Sequence, residues 1–566
     1  MVNKSQPPGE ENKNTHSSSY AGRWVAIVNE KIIAHGGTPE QASHAAKKSR
    51  HKEIPEILYM SPAEPLVTSP LLSAVVDAIP ADQPLFLIGG AVRDTLLGRV
   101  SHDLDFSLPV LGGVPGDALK LARKVANRIG AAYYPLDAER GAARLVLLHN
   151  DGTRHILDFA AFRGDDLEGD LRGRDFTLNA IALDVHSQAI YDPLGGVADL
   201  HAKNLRLCSP ASLNDDPVRI LRAIRQAADY GFHILPETRA AMKEAVPALY
   251  QTSPERQRDE LFRILDGKQP STAFRALEML DVFPAILPEL SALNGCVQSS
   301  PHVDDVWSHT LTALRHLKSI LNALSVQYDS SMASEFHNGL LVLRLGRYRE
   351  NFAAHFGMRL TTERSLQGLL FFATLYHDVG KPLTRKTGDD GRIRFFGHEG
   401  EGAAIATERA RALHMSNDEI DRLDRIILGH LRIHSMTRQL LDEGKQPSRR
   451  AIYRFFRDTQ DAGADIILLS LADLRATYGH GLPEDVWKAE LDICRLLLEN
   501  LWERPTEVVK PPALLNGHEV MKAFDMSPGP LVGRLLEAIR EGQAVGEIEK
   551  KDEALVFGRE WLAAKK

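Results

Sequence analysis

One stretch constrains this chain more than any other, because residues 85–106 run LFLIGGAVRDTLLGRVSHDLDF. An apolar run ends at Gly89 and Gly90 and is followed by a helix-like segment, which predicts a buried strand, a glycine turn and a helix. A turn without side chains lets backbone N–H groups approach a phosphate, and the start of the following helix adds positive potential. We therefore predict a phosphate-binding turn here, with an ordinary structural turn as the alternative.

Carboxylates follow this turn closely. Asp103 and Asp105 are two residues apart, and on a strand such residues point to the same face of the sheet. Neighbouring carboxylates raise each other's pKa unless a cation lies between them, and Mg²⁺ often joins a few carboxylates to substrate phosphates. Asp158 interrupts the apolar strand pattern RHILDFAAF, where a carboxylate is costly unless it is satisfied. We expect Asp158 to complete a metal cluster, the alternative being a hydrogen bond to backbone at a strand end.

Composition narrows the class of protein. The 566 residues include 68 Lys and Arg and 75 Asp and Glu, a net charge of −7. This balance excludes a uniformly basic, histone-like binder but permits an enzyme with a local basic groove. The three cysteines form no CxxC pair, which argues against a cysteine zinc site and a disulfide framework. No apolar run approaches the roughly 18 residues of a membrane span, and we expect a cytoplasmic protein without membrane association.

Four motifs then occur in order between residues 80 and 265: GGAVRD…LLG…HDLDF, RGRDFTLNAIALD, DPLGGVADL and DDPVRILRAIRQAADYGF. Together they resemble the class II tRNA nucleotidyltransferase and bacterial poly(A) polymerase superfamily. The resemblance implies an enzyme that transfers nucleotides from CTP and ATP to the 3′ end of tRNA, without a template and with pyrophosphate leaving. It implies Mg²⁺ binding by Asp103 and Asp105 in a two-metal reaction, and phosphate contacts from Gly89, Gly90 and Arg93.

The second motif carries the implied ribose contacts. Arg174 and Asp175 fall on its gripping positions, and an Asp that accepts from a 2′-hydroxyl distinguishes a ribonucleotide from a deoxyribonucleotide. Asn179 either braces this turn or has a purely structural role. The family usually carries two arginines before the Asp, whereas here Gly173 stands at the first of these positions.

The third and fourth motifs imply a hinge and a base-selecting helix. Gly195 and Gly196 in DPLGGVADL would form the hinge between head and neck, or an ordinary turn. Asp216 and Arg219 share a helix face at i, i+3, and the resemblance makes them a protein template that selects CTP and then ATP. Arg222 would reach the triphosphate. An intrahelical ion pair between Asp216 and Arg219 is the alternative.

A second set of metal-ligating residue types lies further along the chain, centred on TLYHDVGKP. Imidazole and carboxylate ligands together suit a transition metal or magnesium. The pattern resembles the HD phosphohydrolase superfamily, which implies a second divalent metal of unknown identity and hydrolysis of phosphate esters by metal-bound water. Lys381 would contact a phosphate, and a degenerate, inactive domain is the alternative. The implied metal-site residues are His309, His377, Asp378, His398, His430 and Asp473.

The product remains open between CC and CCA. Many CCA-adding relatives carry a longer loop between the strand of the third carboxylate and the ribose motif, whereas here AFRGDDLEGDLRGRDF joins them directly. Relatives without that loop tend to add only CC, which would require an A-adding partner enzyme. A poly(A) polymerase, and an HD-type phosphohydrolase whose head only binds RNA, are the rival functions. Two arginine groups could contact RNA phosphates, namely Arg256, Arg258 and Arg263, and Arg449, Arg450, Arg454 and Arg457.

These patterns predict a multidomain α+β chain with a polymerase-beta-like α/β nucleotidyltransferase head, followed by a mostly helical neck, HD body and tail. Residues 21–60 suggest a strand–strand–helix–strand module to which we assign no chemistry. The predicted segments are a disordered tail at 1–20, the small α/β module at 21–62, the head at 64–205, a helical neck with nucleotide-selecting and RNA-binding helices at 206–270, the HD domain at 271–480 and a helical tail at 481–566.

Overall fold

A computed structural model describes residues 20–565 with the exception of a few short segments. The chain divides into two units, Met1–Ala223 with Tyr230–Ala245, and Ile224–Asp229 with Val246–Lys566. The predicted disordered tail lies almost wholly outside the described residues, and the finer segment boundaries stay predictions. The segments not described are 1–19, 30, 50–52, 62–65, 67, 102, 110–115, 149–153, 329–334, 362–363 and 566.

The N-terminal module, residues 20–61, has the predicted order of elements. Strands β1 (Arg23–Val28), β2 (Lys31–Gly36) and β3 (Glu56–Met60) form an antiparallel sheet in the order β2-β1-β3. Helix α1 (Pro39–Lys48) begins at Thr38, whose side chain accepts a hydrogen bond from the backbone N–H of Gln41. A Thr N-cap followed by Pro at the first helical position is a strong start signal.

The head is built on a seven-stranded sheet in the order β10-β9-β4-β5-β8-β7-β6, in which only the pair β5 and β8 is parallel. Phe106 and Phe159 stack in its core with ring centroids 4.8 Å apart. Its elements are α2 (Pro70–Ala78), β4 (Phe86–Ile88), α3 (Gly90–Leu96), β5 (Asp103–Leu108), α4 (Gly116–Ile129), β6 (Ala132–Asp137), β7 (Ala142–Leu148), β8 (Arg154–Ala161), α5 (Leu167–Arg172), β9 (Ala182–Asp184), β10 (Ile190–Tyr191), α6 (Gly196–His201) and β11 (Asn204–Leu205).

The segment after the head is mainly helical. Helix α7 (Ser212–Asp215) ends one residue before Asp216, and α8 (Arg219–Tyr230) contains the Arg-rich motif. Strand β12 (His233–Ile234) pairs in parallel with β11, and α9 (Pro236–Ala245) follows. The strands β11 and β12 thus tie this helical segment back to the end of the head.

The second unit is almost entirely helical. Helix α22 forms its centre, because the side chains from Gly463 to Ala476 are buried on every face. Among the described helices, none is long and apolar enough to cross a bilayer. The elements are α10 (Pro254–Leu265), α11 (Pro270–Met279), α12 (Phe283–Ile286), α13 (Val306–Ala323), α14 (Phe336–Leu345), α15 (Arg349–Gly357), α16 (Leu366–Tyr376), α17 (Lys381–Thr384), β13 (Lys386–Thr387), β14 (Ile393–Arg394), α18 (His398–Ala412), α19 (Asn417–Gly429), α20 (Arg432–Glu443), α21 (Arg449–Thr459), α22 (Gly463–Tyr478), α23 (Glu484–Leu498), α24 (Gly517–Phe524), α25 (Pro530–Val545) and α26 (Lys551–Ala563).

Candidate active sites

The structure brings together the three head carboxylates on neighbouring strands. Asp105 on β5 lies directly opposite Asp158 on β8, and Asp103 is two residues before Asp105 on the same strand. Burial, together with the charges of Asp158 and Asp103, raises the pKa of Asp105 to about 6, although Arg174 acts against the shift. A divalent cation would relieve this repulsion, so these carboxylates fit a metal site.

Arg144 holds Asp158 in place, a contact that sequence reasoning missed. The two residues face each other across β7 and β8. The guanidinium donates from Nε to Oδ1 and from Nη2 to Oδ2 of Asp158, both at 2.9 Å. Such a two-pronged contact fixes the carboxylate plane. The available signal was an Arg within the apolar strand AARLVLL.

The glycine turn lies beside these carboxylates. Gly89 has φ 73°, a left-handed conformation that favours glycine. A Cβ atom at Gly89 would lie 3.3 Å from Oδ2 of Asp105 and 3.7 Å from Nη1 of Arg174. Gly90 begins α3 immediately afterwards. The absence of a side chain therefore keeps open the space next to Asp105, where the phosphate-binding turn was predicted.

Arg93 is buried and its donors are used within the first unit. Its guanidinium donates to Oδ1 of Asp94 at 2.9 and 3.0 Å, to Oδ1 of Asn179 at 2.8 Å and to the hydroxyl of Tyr230 at 2.9 Å. Asn179 in turn donates to Oδ1 of Asp175 at 3.0 Å. In this structure Arg93 and Asn179 brace residues 173–179, which carry the implied ribose contacts and are called the ribose turn below. Contact of Arg93 with a phosphate stays a prediction.

Asp175 is buried but held in the ionised form. Its carboxylate accepts from the backbone N–H of Phe176 at 2.8 Å and from Nη1 of Arg222 at 3.1 Å, besides Asn179. Burial would raise its pKa, but Arg222 and these hydrogen bonds together hold the pKa of Asp175 below its ordinary value. Arg174 pairs with the buried Asp170 at 2.9 Å. The turn thus presents a fixed acceptor, as recognition of a hydroxyl requires.

Arg219 is directed at backbone rather than outward. Its guanidinium donates to the carbonyls of Gly173, Arg174 and Ser212 at 3.0–3.1 Å, and also to the Ser212 hydroxyl. Its Nε lies 4.0 Å from Oδ2 of Asp216, a loose ion pair. Arg219 therefore holds the backbone of the ribose turn in place, and its action with Asp216 as a base-selecting template stays a prediction.

The second unit gathers the histidines and aspartates of the HD pattern in one buried cluster. His309 lies on α13 and Asp473 on α22, and their Nε2 and Oδ1 atoms are 2.9 Å apart. Oδ2 of Asp378 lies 3.2 Å from Nε2 of His377, and Oδ1 of Asp378 lies 3.3 Å from Nε2 of His398. The ligand atoms form two groups, His309, His377 and Asp473, and Asp378, His398 and His430.

Backbone carbonyls orient three of these imidazole rings. The Nδ1 atoms of His377, His398 and His430 lie 2.6–2.7 Å from the carbonyl three residues earlier in each case. A carbonyl only accepts, so each Nδ1 carries its proton and each Nε2 is left as the ligand atom. Metal-ligating histidines are commonly fixed this way.

The electrostatics of the cluster suit a cation. Burial alone would lower the pKa of His377, but Asp378 and Asp473 raise it to about 10. The pKa of Asp378 is in turn held well below its usual range, against burial, by His377 and Lys381. A proton on His377 thus offsets the negative charge of Asp378 and Asp473, which a metal ion could offset instead. Imidazoles and carboxylates are also ligands that divalent metals accept.

Lys381, His434 and Glu490 complete the cluster. Nζ of Lys381 lies 2.6 Å from Asp378. His434, which sequence reasoning missed, donates to Asp473 at 2.9 Å and lies 3.0 Å from the fully buried Glu490. The signal was its spacing of four residues after His430, one helical turn. These side chains border a cavity of about 450 Å³ whose other walls include Phe395, Phe396, Arg438 and Tyr478.

The arginines suggested for RNA contact mostly bind within the protein. On α21, Arg454 pairs with Glu541 at 2.6 Å and Arg450 with Glu547 at 3.0 Å, both from the region of α25. Arg449 donates to the carbonyl of Ala544. The group on α21 therefore fastens the C-terminal helices, which its clustering in the sequence did not indicate.

Family comparisons cover most of the chain. The Poly A polymerase head domain matches residues 85–206, the probable RNA and SrmB-binding site of polymerase A matches 231–293, and the HD domain matches 349–473. A family of unknown function (DUF5678) matches residues 17–62. The HD match begins after His309, which the fold nevertheless places in the buried cluster of histidines and aspartates.

Individual relatives match most of the chain. An A-adding tRNA nucleotidyltransferase of Deinococcus radiodurans is 32% identical, over 84% of this chain and 95% of its own. A CC-adding tRNA nucleotidyltransferase of Thermus thermophilus is also 32% identical, over 84% and 93%. A solved CCA-adding enzyme in complex with CTP has a TM-score of 0.52 at 20% identity, over 88% of this chain and 94% of that one, which shows a shared fold.

Fold, sites and comparisons together define a nucleotidyltransferase with an attached HD domain. Within that class, the chain belongs to the tRNA nucleotidyltransferase family and is an enzyme, as the resemblance of its motifs predicted.

Proposed function

We propose that the chain adds nucleotides from CTP, and from ATP where the product is CCA, to the 3′ end of tRNA. The observation that carries this proposal is the meeting of Asp103, Asp105 and Asp158 beside the Gly89 turn. The relatives named as A-adding and CC-adding tRNA nucleotidyltransferases support the same reaction.

Different residues of the head would bind the metal, the triphosphate and the ribose during nucleotidyl transfer. Asp103, Asp105 and Asp158 would hold Mg²⁺, which when bound supplies activation of the RNA 3′-hydroxyl and neutralisation of the triphosphate charge. Gly89 leaves room for the triphosphate beside these carboxylates. Asp175 accepts from the ribose hydroxyl, because its neighbours keep the carboxylate ionised and fixed.

Two features bear on the number and kind of nucleotides added. They are the connection between β8 and the ribose turn, and the base-selecting residues Asp216 and Arg219. The two relatives at 32% identity carry different names, one A-adding and one CC-adding, so identity favours neither product. The direct connection from β8 to the ribose turn, which in the family accompanies CC addition, supports a CC product with an A-adding partner enzyme. A CCA product is the alternative.

Extension assays test this proposal. Purified protein with Mg²⁺ is incubated with tRNA transcripts that end before CCA, after C and after CC, with CTP, ATP or both, and the products are sized on a sequencing gel. We expect CC addition that is lost in the Asp103→Ala/Asp105→Ala variant. Addition of CCA or of A alone would reassign the product, long A tails would indicate a poly(A) polymerase, and no extension would overturn the proposal.

The HD cluster supports a second activity, metal-dependent hydrolysis of phosphate esters. The residues that would hold the metal are His309, His377, Asp378, His398, His430 and Asp473, and a bound divalent metal would supply an activated water. Lys381 and Arg438, which border the adjoining cavity, provide positive charge for a phosphate.

Hydrolysis of p-nitrophenyl phosphate, after chelation and reloading with Mg²⁺, Mn²⁺, Ni²⁺ or Zn²⁺ in turn, tests this second activity and identifies the metal. We expect release of p-nitrophenol with at least one metal, and its loss in the His398→Asn variant. Absence of hydrolysis with every metal, while the metals still bind, would indicate a degenerate domain.

A further inference from the structure

We propose that the N-terminal module is a positioning element for nucleotide binding. It holds residues 190–197 against the ribose turn and thereby sets the affinity for the incoming nucleotide. The inference rests on the proposed nucleotidyl transfer. No role is known for the family of unknown function that matches this part of the chain.

Three parts of the module converge on one short segment of the head. The indole Nε1 of Trp24 on β1 donates to the carbonyl of Ile190 at 2.8 Å. The carbonyl of Gly37, between β2 and α1, accepts from the backbone N–H of Asp192 at 2.7 Å. Nε2 of Gln41 on α1 donates to the carbonyl of Pro193 at 2.7 Å. The module thus pairs with nearly every residue from 190 to 193.

Close packing accompanies these hydrogen bonds. A Cβ atom at Gly37 would lie only 1.6 Å from the backbone oxygen of Asp192, so only glycine permits this approach. The ring of Trp24 lies between Tyr59 of the module and Tyr191 of the head, with centroids 5.4 and 5.3 Å away. The contact is therefore built by specific side chains and not by loose apposition.

From Asp192 the contact continues to the ribose turn. The Asp192 carboxylate accepts from the backbone N–H groups of Gly196 and Val197 at 2.6 and 3.0 Å and so fixes the start of α6. A Cβ atom at Gly196 would lie 2.0 Å from the carbonyl oxygen of Thr177. The hydroxyl of Thr177 donates to Asp199 of α6 at 2.6 Å.

Thr177 lies between the two residues that define the ribose acceptor, Asp175 and Asn179. A shift of residues 190–197 would displace α6 and with it this turn. Strands β9 and β4 separate β10 from the carboxylate strands β5 and β8 in the sheet, so we expect binding to change and the chemical step to be spared.

Point variants of the full chain test the proposal. Gly37→Val forces the module away from Asp192. Gln41→Ala removes two hydrogen bonds, one to the carbonyl of Pro193 and one from the backbone N–H of Gly37 within the module. His44→Ala is the matched control, because His44 is exposed on the same helix α1. The readouts are hydrogen–deuterium exchange of peptides covering 174–182 and 190–200, calorimetric CTP affinity, and KM and kcat for CTP.

We expect Gly37→Val to increase exchange in both peptides and to raise KM for CTP about fivefold or more, the lower end of typical coupling between sites. We expect kcat to stay within about twofold, as for loss of binding without loss of transition-state contacts. Gln41→Ala should show the same changes to a smaller extent, and His44→Ala none.

Faster exchange confined to residues 20–61, with KM for CTP unchanged, would overturn the proposal. A change in KM for tRNA with none for CTP would also overturn it and make the module an RNA contact. If the wild-type chain adds no nucleotide, the proposed function fails, yet exchange and calorimetry still decide whether the module governs the turn. If Gly37→Val does not fold, Trp24→Phe, which keeps a ring but loses the bond to Ile190, replaces it.

Discussion

The ionised form of Asp105 destabilises the folded chain, because the carboxylate is buried close to Asp158 and Asp103. Burial and the neighbouring charges raise its pKa from 3.8 to about 6. A carboxyl group with a raised folded pKa binds more protons in the folded state, so the free energy of unfolding falls as pH rises from about 4 to about 6. At 1.4 kcal/mol per pKa unit, the ionised group costs about 3 kcal/mol above that range.

The first prediction concerns this cost. In metal-free buffer at pH 8, Asp105→Asn should raise the free energy of unfolding by up to about 3 kcal/mol, because the neutral amide avoids the repulsion. At pH 4 the variant and the wild type should differ little. Urea unfolding measures both values. Mg²⁺ should stabilise the wild type and not the variant, and a variant that is less stable at pH 8 would contradict the account.

A second prediction separates the two roles of Arg219. Arg219→Lys replaces a planar fork that reaches three carbonyls by a single ammonium group. We expect a loss of about 2 kcal/mol in the free energy of unfolding, since hydrogen bonds from charged groups contribute about 1.5–3 kcal/mol each. Arg222→Lys, the control, should cost less because its side chain is half-exposed. Unchanged stability with altered choice between CTP and ATP would favour the template role instead.

Single residues were predictable where local spacing carried the signal. The two-residue spacing of Asp103 and Asp105 predicted a shared strand face, and they lie beside Asp158 as expected. Arg144 and Glu490 could not be found in the same way, because each acts through a partner that only the fold brings close.

At the scale of elements, glycines set how closely segments approach. Helix α6 packs on the turn Thr177–Asn179 at a distance that only glycine permits, through Gly196. The resemblance implied a hinge at Gly195 and Gly196, with an ordinary turn as the alternative, and the hinge stays a prediction. The structure adds a tight contact of Gly196 with Thr177 within the head. Motif spacing does not reveal such a contact, because its partner lies about twenty residues away.

A third prediction follows from this contact. Gly196→Ala places a Cβ atom 2.0 Å from the Thr177 carbonyl oxygen, so we expect the free energy of unfolding to fall by about 1–3 kcal/mol through overpacking, and CTP binding to weaken. Gly195→Ala is the matched control: φ 76° costs about 1–2 kcal/mol of strain, with nothing closer to its Cβ than the Arg206 guanidinium at 3.6 Å. Urea unfolding and calorimetry measure both. Equal effects of the two variants on CTP binding would contradict the role of the contact.

Element bounds were predicted less well than element types. The apolar pattern predicts a helix over residues 64–80, whereas the helix covers Pro70–Ala78; residues 64, 65 and 67 are outside the described part of the chain. The structure starts α2 at Ser69, whose side chain caps the helix, followed by Pro70. These are ordinary start signals, overlooked because the apolar pattern extends further toward the N-terminus.

Across the whole molecule, each unit contains a complete set of candidate ligands of its own. The head carboxylates belong to the first unit and the histidine cluster to the second. Ordered motifs predicted the head, since they are local. The resemblance to the HD superfamily named all six residues of the cluster, and the fold brings them together from helices and helix ends spread between His309 and Asp473.

The fourth prediction is that the two activities separate. Asp105→Asn should lower CMP incorporation more than about 100-fold and leave phosphatase activity within about twofold. The expected loss exceeds the roughly 10- to 100-fold typical for a residue that only hydrogen-bonds to a metal ligand. His398→Asn should do the opposite. Both activities are measured on the same preparations, with circular dichroism as the control for folding. Loss of both activities in either variant would show that the sites depend on each other.

The carbonyl contacts of the HD histidines have a further consequence, for the way in which this cluster takes up metal. Because Nδ1 of His377 is committed to a backbone carbonyl, a second proton on that ring can reside only on Nε2, the ligand atom. Asp378 and Asp473 hold that proton to a pKa of about 10. We therefore expect a metal ion that binds through Nε2 to displace this proton, so that loading the cluster acidifies the solution and proceeds more readily in alkaline buffer.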